Sequence, residues 1–333
     1  MIPGRVKKQK LIAIVGQTAT GKSGLTVRLA RKFRGEVVSA DSRQVYKGLD
    51  LGTGKVPRDP KNFRLRRGFG GQAKLKTKNY LHKGIPHYML DVADPRFPYS
   101  VADFQKAANE SVRAIAQKGK VPILCGGTGF YVQSVTDGAV LPEVKPNAKL
   151  RKELSKKEIK ELYEILKKFD PRRAQTIDKK NPRRLVRAIE IATALGTVPK
   201  LTKVRGKYDV LLIGLMLPPA ELKKKIRIRL FARLRGTRGQ ARIRGGMIAE
   251  ARRLHQQGLS WKRMEELGLE YRYLAKYLKG EMTKEQMAEK LETEIWRYAK
   301  RQMTWFKRDK RIKWFRPGEY RKIEKEAEKF IKR

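Results

Sequence analysis

The sequence is short of cysteine: Cys125 is the only one among 333 residues. A disulfide within the chain needs two cysteines, and a cysteine-based zinc site needs more, so both are excluded. A lone thiol suits a reducing compartment, and we expect a cytoplasmic protein. Apolar runs of about 18 residues, the length that spans a bilayer, are also lacking. The apolar stretch after the basic N-terminus covers only residues 11–15, so we interpret it as a buried strand and not as a signal peptide.

Acidic residues are the second shortage, with 33 Asp and Glu against 80 Lys and Arg and a formal net charge of +47. Such a chain repels itself unless counterions or a polyanion neutralise it, and nucleic acid is the obvious polyanion. The alternative is a lysine-rich surface that is merely solvated. Clustering argues against it, because residues 61–78 and 223–244 carry many cations and no acid. An acidic membrane surface is a poorer partner, since no apolar helix face is available for insertion.

Residues 10–137 alternate between apolar strands and amphipathic helices. Strands are predicted at 11–15, 36–40 and 121–125, and helices follow the first of these and a capping-box pattern at Ser100. Strands that are apolar throughout and separated by helices indicate an α/β fold with a parallel sheet covered on both faces. Ligands of such sheets bind at the carboxyl ends of the strands.

The domain organisation follows from breaks in this pattern. Residues 58–84 are basic and show no clear period of apolar residues, which predicts a long flexible loop. Residues 141–199 are polar and helical, which predicts a small all-helical insertion domain. A strand at 208–217 returns the chain to the sheet, and mostly basic amphipathic helix follows. We therefore predict one core built from residues 1–140 and 200–333, with the insertion between them.

A phosphate-binding loop of the form G-x-x-x-x-G-K-[ST] follows the first strand and opens a helix, which is the context that this motif requires. Its residues are Gly16, Gln17, Thr18, Ala19, Thr20, Gly21, Lys22 and Ser23. The backbone N–H groups and the helix N-terminus can hold phosphate oxygens. Lys22 can reach the terminal phosphates, and the Ser23 hydroxyl can ligate Mg²⁺.

The loop identifies a phosphate and not a reaction, because kinases, ATPases and GTPases share it. Asp41, at the end of the second predicted strand, could then be the magnesium aspartate of an NTPase. A small-molecule kinase and an RNA-binding protein with a degenerate site are the competing interpretations. The intact loop and Asp41 argue against a protein without activity.

Further segments, in order along the chain, resemble those of the tRNA dimethylallyltransferases. They are D-S-R-Q-V-Y-K-G-L-D-L-G-T at 41–53, H-Y-M-L-D-V-A-D-P at 87–95, Y-S-V-A-D-F at 99–104, G-G-T-G-F-Y at 126–131, N-P-R-R-L-V-R-A-I-E at 181–190 and R-Y-A-K-R-Q-M-T-W-F at 297–306. Three features depart from the family pattern: Gln17 replaces a usual proline, Gly54 and Val56 interrupt a usual G-T-A-K-P, and the basic stretch at 58–84 is long. The matched segments argue against a kinase.

The resemblance implies a P-loop NTPase-like fold and transfer of a dimethylallyl group from its diphosphate to N6 of adenosine 37, next to the tRNA anticodon. It implies Asp41 as the base that accepts the amine proton. Ser23, Mg²⁺ and Arg229 would stabilise the leaving diphosphate, although Arg227 and Arg233 lie close to Arg229 in sequence. Thr128 is either a positioning residue near the base or a simple turn residue.

The resemblance also implies a surface for the tRNA anticodon stem-loop, to which the insertion domain contributes. The implied contacts are Asp41, Ser42, Arg43, Gln44, Arg183, Arg184, Leu185, Val186, Arg187, Gly268, Arg272, Lys300, Arg301, Gln302, Trp305 and Lys307. Arg183 and Arg184 each share a helix face with Arg187, and such a face can follow a phosphate strand or be merely solvated. We expect a monomer that binds dimethylallyl diphosphate and tRNA and no membrane.

Overall fold

The computed structural model describes residues 8–60, 80–138, 141–200, 207–236 and 245–333. The strands are β1 (Gln9–Gly16), β2 (Gly35–Ser39), β3 (Tyr80–His82), β4 (Ile85–Tyr88), β5 (Val121–Cys125), β6 (Tyr208–Leu215) and β7 (Lys313–Phe315). The helices are α1 (Lys22–Lys32), α2 (Val101–Gln117), α3 (Gly129–Thr136), α4 (Ala148–Leu154), α5 (Ile159–Phe169), α6 (Pro171–Thr176), α7 (Pro182–Leu195), α8 (Pro219–Arg235), α9 (Gly246–Gln256), α10 (Trp261–Leu267), α11 (Leu269–Leu278), α12 (Lys284–Phe306) and α13 (Tyr320–Lys332). No helix in this described part is long and apolar enough to cross a membrane.

The strands form one sheet in the order β3-β4-β2-β5-β1-β6-β7. Every neighbouring pair is parallel except β3 with β4. The predicted α/β class is therefore confirmed. Because β1, β2 and β5 are adjacent and parallel, the loops that follow them meet at one edge of the sheet.

The sequence-based elements are wrong at two edges of the sheet. Residues 80–82, predicted as part of the long loop, form β3, and residues 313–315, within the predicted helical region, form β7. Both strands have three residues, too few to show an alternating pattern. The predicted strand at 208–217 ends earlier, at Leu215. The capping box at Ser100 is confirmed, since its side chain accepts from the Asp103 backbone N–H and the Asp103 carboxylate accepts from the Ser100 backbone N–H.

Helices cover both faces of the sheet because the side chains of a strand alternate between them. In β1, Leu11 and Ala13 belong to the larger apolar core, which also contains residues of α2, α3 and α8–α12. Ile12 and Ile14 belong to the smaller core, with residues of α1 and α13. All four side chains are fully buried, which explains why this strand is apolar from Leu11 to Val15.

The chain divides into two compact units, one of Met1–Gly138 with Arg205–Arg333 and one of Ala139–Val204. We call them the sheet unit and the insertion unit. The insertion unit contains α4–α7 and an apolar core of its own, with Leu162, Leu166 and Leu185 fully or nearly fully buried. Each unit therefore has the core that an independently packed domain needs.

Candidate active site

A cavity of about 790 Å³ opens at the carboxyl ends of the strands of the sheet unit. The first residues of α1, the Asp41 turn after β2, the glycines after β5 and Arg229 of α8 line it. His82 and His87 of the β3–β4 hairpin also line it. The cavity thus brings together residues from Thr18 to Gln302, which are 284 positions apart in the sequence.

The phosphate-binding loop is held in shape by its own glycines and by Lys22. Gly16 has a positive φ of 132°, and a Cβ atom there would lie 2.3 Å from the Leu215 carbonyl oxygen of the neighbouring β6. Only glycine fits so close to a second strand. The Lys22 ammonium donates to the Gln17 carbonyl oxygen at 2.6 Å. Burial lowers the pKa of Lys22 to about 8, and the nearby Arg229 guanidinium acts in the same direction.

Gln17 and Gln302 connect the phosphate-binding loop to α12. The Gln302 amide oxygen accepts from the Thr18 backbone N–H at 2.7 Å, and its nitrogen donates to the Gly127 carbonyl at 2.9 Å. The Gln17 amide nitrogen donates to the Ala299 carbonyl at 3.2 Å. Gln302 is 5% exposed, uses both ends of its amide within the protein and lines the cavity, so it does not face solvent, and its contact with RNA stays a prediction. It faces inward on the same helix whose Lys300 and Arg301 face solvent.

Asp41 begins a tight turn after β2. One of its carboxylate oxygens accepts from the backbone N–H groups of Arg43 at 2.9 Å and Gln44 at 3.4 Å. The Thr128 hydroxyl accepts from the Ser42 N–H at 3.0 Å and also contacts the hydroxyl of the half-buried Tyr298. Burial raises the pKa of Tyr298, so the phenol stays protonated. Thr128 therefore holds the backbone next to Asp41.

Arg227, Arg229 and Arg233 lie close together on α8, and of these three only Arg229 lines the cavity. Its guanidinium donates to the Thr18 hydroxyl at 3.2 Å and to the Gly54 carbonyl at 3.3 Å. Burial and the nearby Arg233 lower its pKa to about 10, so it carries a positive charge at neutral pH. Arg227 is exposed and pairs with Glu292 at 3.1 Å.

The predicted RNA-contact residues of the sheet unit fall into two groups. In the first, Gly268 lies between two cations: a Cβ atom there would be 4.0 Å from the guanidinium nitrogens of Arg43 and of Arg272. In the second, Trp305 packs on Gly129, whose added Cβ would lie 2.2 Å from the indole. Exposed cations of α12 and its C-terminal end accompany it, namely Lys300, Arg301 and Lys307.

In the insertion unit the predicted contacts lie on α7. Arg183 and Arg184 are exposed, and Val186 is half-buried. The Leu185 side chain is fully buried in the core of this unit, so it serves packing, and the tRNA contact of this position stays a prediction. Arg187 donates to the Val144 carbonyl at 3.0 Å and pairs with Glu190. Its guanidinium is therefore engaged within the unit.

Other residues of the site were not identified from the sequence. Glu250 is one of them, although a signal existed, because it occupies the apolar face of α9 with Met247, Ala251 and Leu254. Burial lowers the pKa of His87 to about 4, so this cavity residue is neutral at physiological pH. No group of three or more His, Cys, Asp or Glu side chains in the described ranges could hold a metal ion.

Comparisons with known proteins agree with this geometry. Residues 71–309 match the family model described as IPP transferase, and residues 9–76 match the one described as isopentenyl transferase. The chain is 37% identical over 323 residues to tRNA dimethylallyltransferase 1 of Syntrophus aciditrophicus, covering 96% of this chain and 97% of that one. It is 38% identical over 306 residues to tRNA dimethylallyltransferase 2 of Treponema denticola, covering 90% and 92%.

Solved structures give the same result. The tRNA isopentenylpyrophosphate transferase of Bacillus halodurans superposes with a TM-score of 0.66 at 31% identity, covering 98% of this chain and 97% of that one. A eukaryotic dimethylallyltransferase acting on tRNA superposes with a TM-score of 0.68 at 27% identity, covering 90% and 70%. With a family model that matches most of its length and relatives above 30% identity, this chain belongs to the tRNA dimethylallyltransferase family of IPP transferases.

Proposed function

We propose that this protein transfers the dimethylallyl group of dimethylallyl diphosphate to N6 of adenosine 37, on the 3′ side of a tRNA anticodon. The observation that carries the proposal is one cavity with Lys22, Arg229 and Asp41 on its wall. The two cations suit a diphosphate, and the carboxylate suits a group that must lose a proton.

The reaction is an alkylation in which N6 of adenine forms a bond with the first carbon of the dimethylallyl group. The carbon–oxygen bond to the diphosphate breaks, and the diphosphate leaves with the electron pair. The exocyclic amine is a weak nucleophile because its lone pair is delocalised into the ring. Asp41 accepts its proton, since the carboxylate lines the cavity and the hydrogen bonds from Arg43 and Gln44 fix its direction.

The leaving diphosphate gains negative charge as the bond breaks. The backbone N–H groups of the phosphate-binding loop, Lys22 and Arg229 stabilise that charge. Mg²⁺ would be held by the exposed Ser23 hydroxyl together with oxygens of the diphosphate. Mg²⁺ usually keeps several waters and binds through substrate phosphates, so one protein hydroxyl beside a diphosphate is a donor set that suits it. When bound, it would neutralise part of the diphosphate charge.

The second substrate is the anticodon stem-loop of tRNA, bound by one copy of the protein. A base in an RNA loop can be turned out at small cost and read on its edge. Arg43 and Arg272 lie near the Asp41 turn and suit the phosphates around the target nucleotide. The exposed Arg183 and Arg184 suit the stem, and we propose that residues 141–199 bind it. The basic composition supports this partner.

The test is incubation of the protein with Mg²⁺, labelled dimethylallyl diphosphate and unmodified tRNA that carries adenosine 37. Wild type is compared with Asp41→Ala, with Lys22→Ala and with the control Asp209→Ala, whose carboxylate pairs with Arg333 on the surface. We expect labelled tRNA from wild type and the control and very little from the two site variants. Hydrolysis of ATP without labelled tRNA would instead favour a P-loop kinase or NTPase.

A further inference from the structure

The turn of residues 50–54 contributes two backbone carbonyls to the site. The Thr53 carbonyl accepts from the Gln44 amide nitrogen at 3.3 Å, and Gln44 belongs to the Asp41 turn. The Gly54 carbonyl accepts from the Arg229 guanidinium at 3.3 Å. The position of this one turn therefore influences Gln44, which lies beside the proposed base, and Arg229, which is proposed to hold the leaving diphosphate.

Glu250 of α9 holds the turn from one side. Its carboxylate accepts from the backbone N–H groups of Asp50 at 3.1 Å, Leu51 at 2.7 Å and Gly52 at 3.0 Å. A fourth hydrogen bond comes from the Tyr271 hydroxyl at 2.7 Å. Glu250 is fully buried, so water cannot replace it as the acceptor for these groups. A buried donor that loses its acceptor is costly, and here several would lose one together.

Arg233 of α8 holds the same turn through its carbonyls. Its guanidinium donates to the Leu51 carbonyl at 3.3 Å and the Gly52 carbonyl at 2.9 Å, and it pairs with Glu270 at 3.1 Å. The buried side chains of Arg233 and Glu250 thus bind opposite backbone groups of the same two residues, Leu51 and Gly52. Packing alone does not require them, because apolar side chains of similar volume often stabilise a core as well or better. What they supply is a fixed backbone position.

We infer that Glu250 is a positioning residue of the active site: it fixes the turn of residues 50–54, and the turn fixes Arg229 and Gln44 through its Gly54 and Thr53 carbonyls. The inference rests on the proposed function for its kinetic consequence. The expected effect on diphosphate binding does not rest on the proposed function, because Arg229 would hold a diphosphate whatever reaction follows.

The decisive variant is Glu250→Gln in the full chain, since glutamine has nearly the same shape but lacks the charge and the second acceptor oxygen. The matched control is Glu324→Gln, which alters another nearly buried carboxylate of the sheet unit, one paired with Lys32 at 2.6 Å. We expect Glu250→Gln to lower kcat by about 10- to 100-fold, as loss of a supporting hydrogen-bond partner does at other sites. KM for dimethylallyl diphosphate should rise several-fold, whereas the tRNA dissociation constant should change much less, because Gln44 is only one of the predicted tRNA contacts.

A second variant displaces the turn without touching Glu250. A Cβ atom on Gly52 would lie 2.6 Å from the Tyr271 hydroxyl, so Gly52→Ala must move the turn or the ring. It should reproduce the same rise in KM and fall in kcat. A purely structural role for Glu250 predicts something else: a lower melting temperature and fewer active molecules, with KM for the prenyl donor unchanged.

Calorimetric titration with inorganic diphosphate and Mg²⁺ separates this inference from the proposed function. We expect Glu250→Gln to bind diphosphate about tenfold more weakly than wild type and Glu324→Gln to bind it equally well. If wild type binds diphosphate but never labels tRNA, the proposed function fails. The role of Glu250 is then tested by the diphosphate affinity of Glu250→Gln alone. Wild-type diphosphate affinity in Glu250→Gln, with KM and kcat per active molecule also unchanged, would overturn the inference.

Discussion

Glu190 in the insertion unit and Glu250 in the sheet unit are both deeply buried, and the two glutamates differ in what they hold. Glu190 in the insertion unit accepts from the Arg151 guanidinium at 2.8 Å and from the Asn147 backbone N–H at 2.6 Å, and so ties α4 to α7. Glu250 in the sheet unit accepts only from neutral donors, three of them on a turn beside the cavity. One glutamate supports a scaffold, and the other supports a site.

The pKa values of the two carboxyl groups differ in the same way. Burial acts to raise the pKa of Glu190, but the Arg151 guanidinium and the Asn147 N–H outweigh it, and the pKa lies below its ordinary value. Burial raises the pKa of Glu250, and the N–H groups of Gly52 and Leu51 oppose that rise only in part. Charged donors offset the desolvation of a carboxylate, whereas neutral donors mainly fix its geometry. The comparison teaches that the partners of a buried charge, more than its burial, indicate its role.

The sharpest test of the comparison is Asp41→Asn in the sheet unit. Asparagine cannot accept the amine proton, so we expect the single-turnover rate to fall by about 10²- to 10⁴-fold. The tRNA dissociation constant should change less than twofold, because asparagine keeps the shape of this side chain and the other predicted tRNA contacts are unaltered. A loss of tRNA affinity as large as the loss of rate would show that Asp41 acts mainly in RNA binding.

The next effect concerns the charge of Lys22. Its pKa of about 8 means that the free site loses this positive charge as the pH rises from about 8 towards the ordinary value of 10.5. Since an anion binds the ammonium form better, diphosphate affinity should fall by up to about tenfold per pH unit in that window. Titrations between pH 7 and 10 check this, with Lys22→Met as the control for ionisation of the ligand. If the diphosphate affinities of wild type and Lys22→Met fell in parallel as the pH rose, the loss would not come from deprotonation of Lys22.

A smaller effect is expected from the insertion unit. Replacing Arg183 and Arg184 together by alanine should weaken tRNA binding by about tenfold and reduce the salt dependence by about two phosphate contacts. KM for dimethylallyl diphosphate should not change. The control is Lys160→Ala with Lys168→Ala, which removes the same charge from exposed positions on α5. Equal losses in the two double variants would mean that net charge, and not this face of α7, binds the tRNA.

The smallest effect on activity is expected from Glu190→Gln. The variant should lower the free energy of unfolding by about 1–3 kcal/mol and weaken hydrogen-exchange protection of α4–α7, with kcat nearly unchanged. Because the pKa of Glu190 is depressed in the fold, its stabilisation is present above the ordinary value of 4.5 and is lost as the pH falls through the folded value. The stability difference from wild type should therefore shrink below about pH 4.5. Glu164→Gln, which alters an exposed carboxylate 3.9 Å from Lys167, is the control.

The sequence by itself determined the parts of this protein whose signal is local. The phosphate-binding loop needs only its glycines, Lys22 and a strand–helix context, all within a few residues. The central residues of β1, β2 and β5 are apolar because both faces of the sheet are covered there. The family resemblance likewise depends on contiguous segments, and it identified Asp41, Thr128 and Arg229 as candidates before their positions were known.

Only the tertiary structure decided which side chains of the basic helices face the site. Arg227, Arg229 and Arg233 look alike in the sequence, yet one is exposed, one lines the cavity and one binds the turn of residues 50–54. Gln302 turned inward while its neighbours stayed outside, and Glu250 supports a turn about 200 residues away. The physical reason is that periodicity shows which face of a helix is apolar, whereas the partner of each polar side chain depends on where distant segments pack.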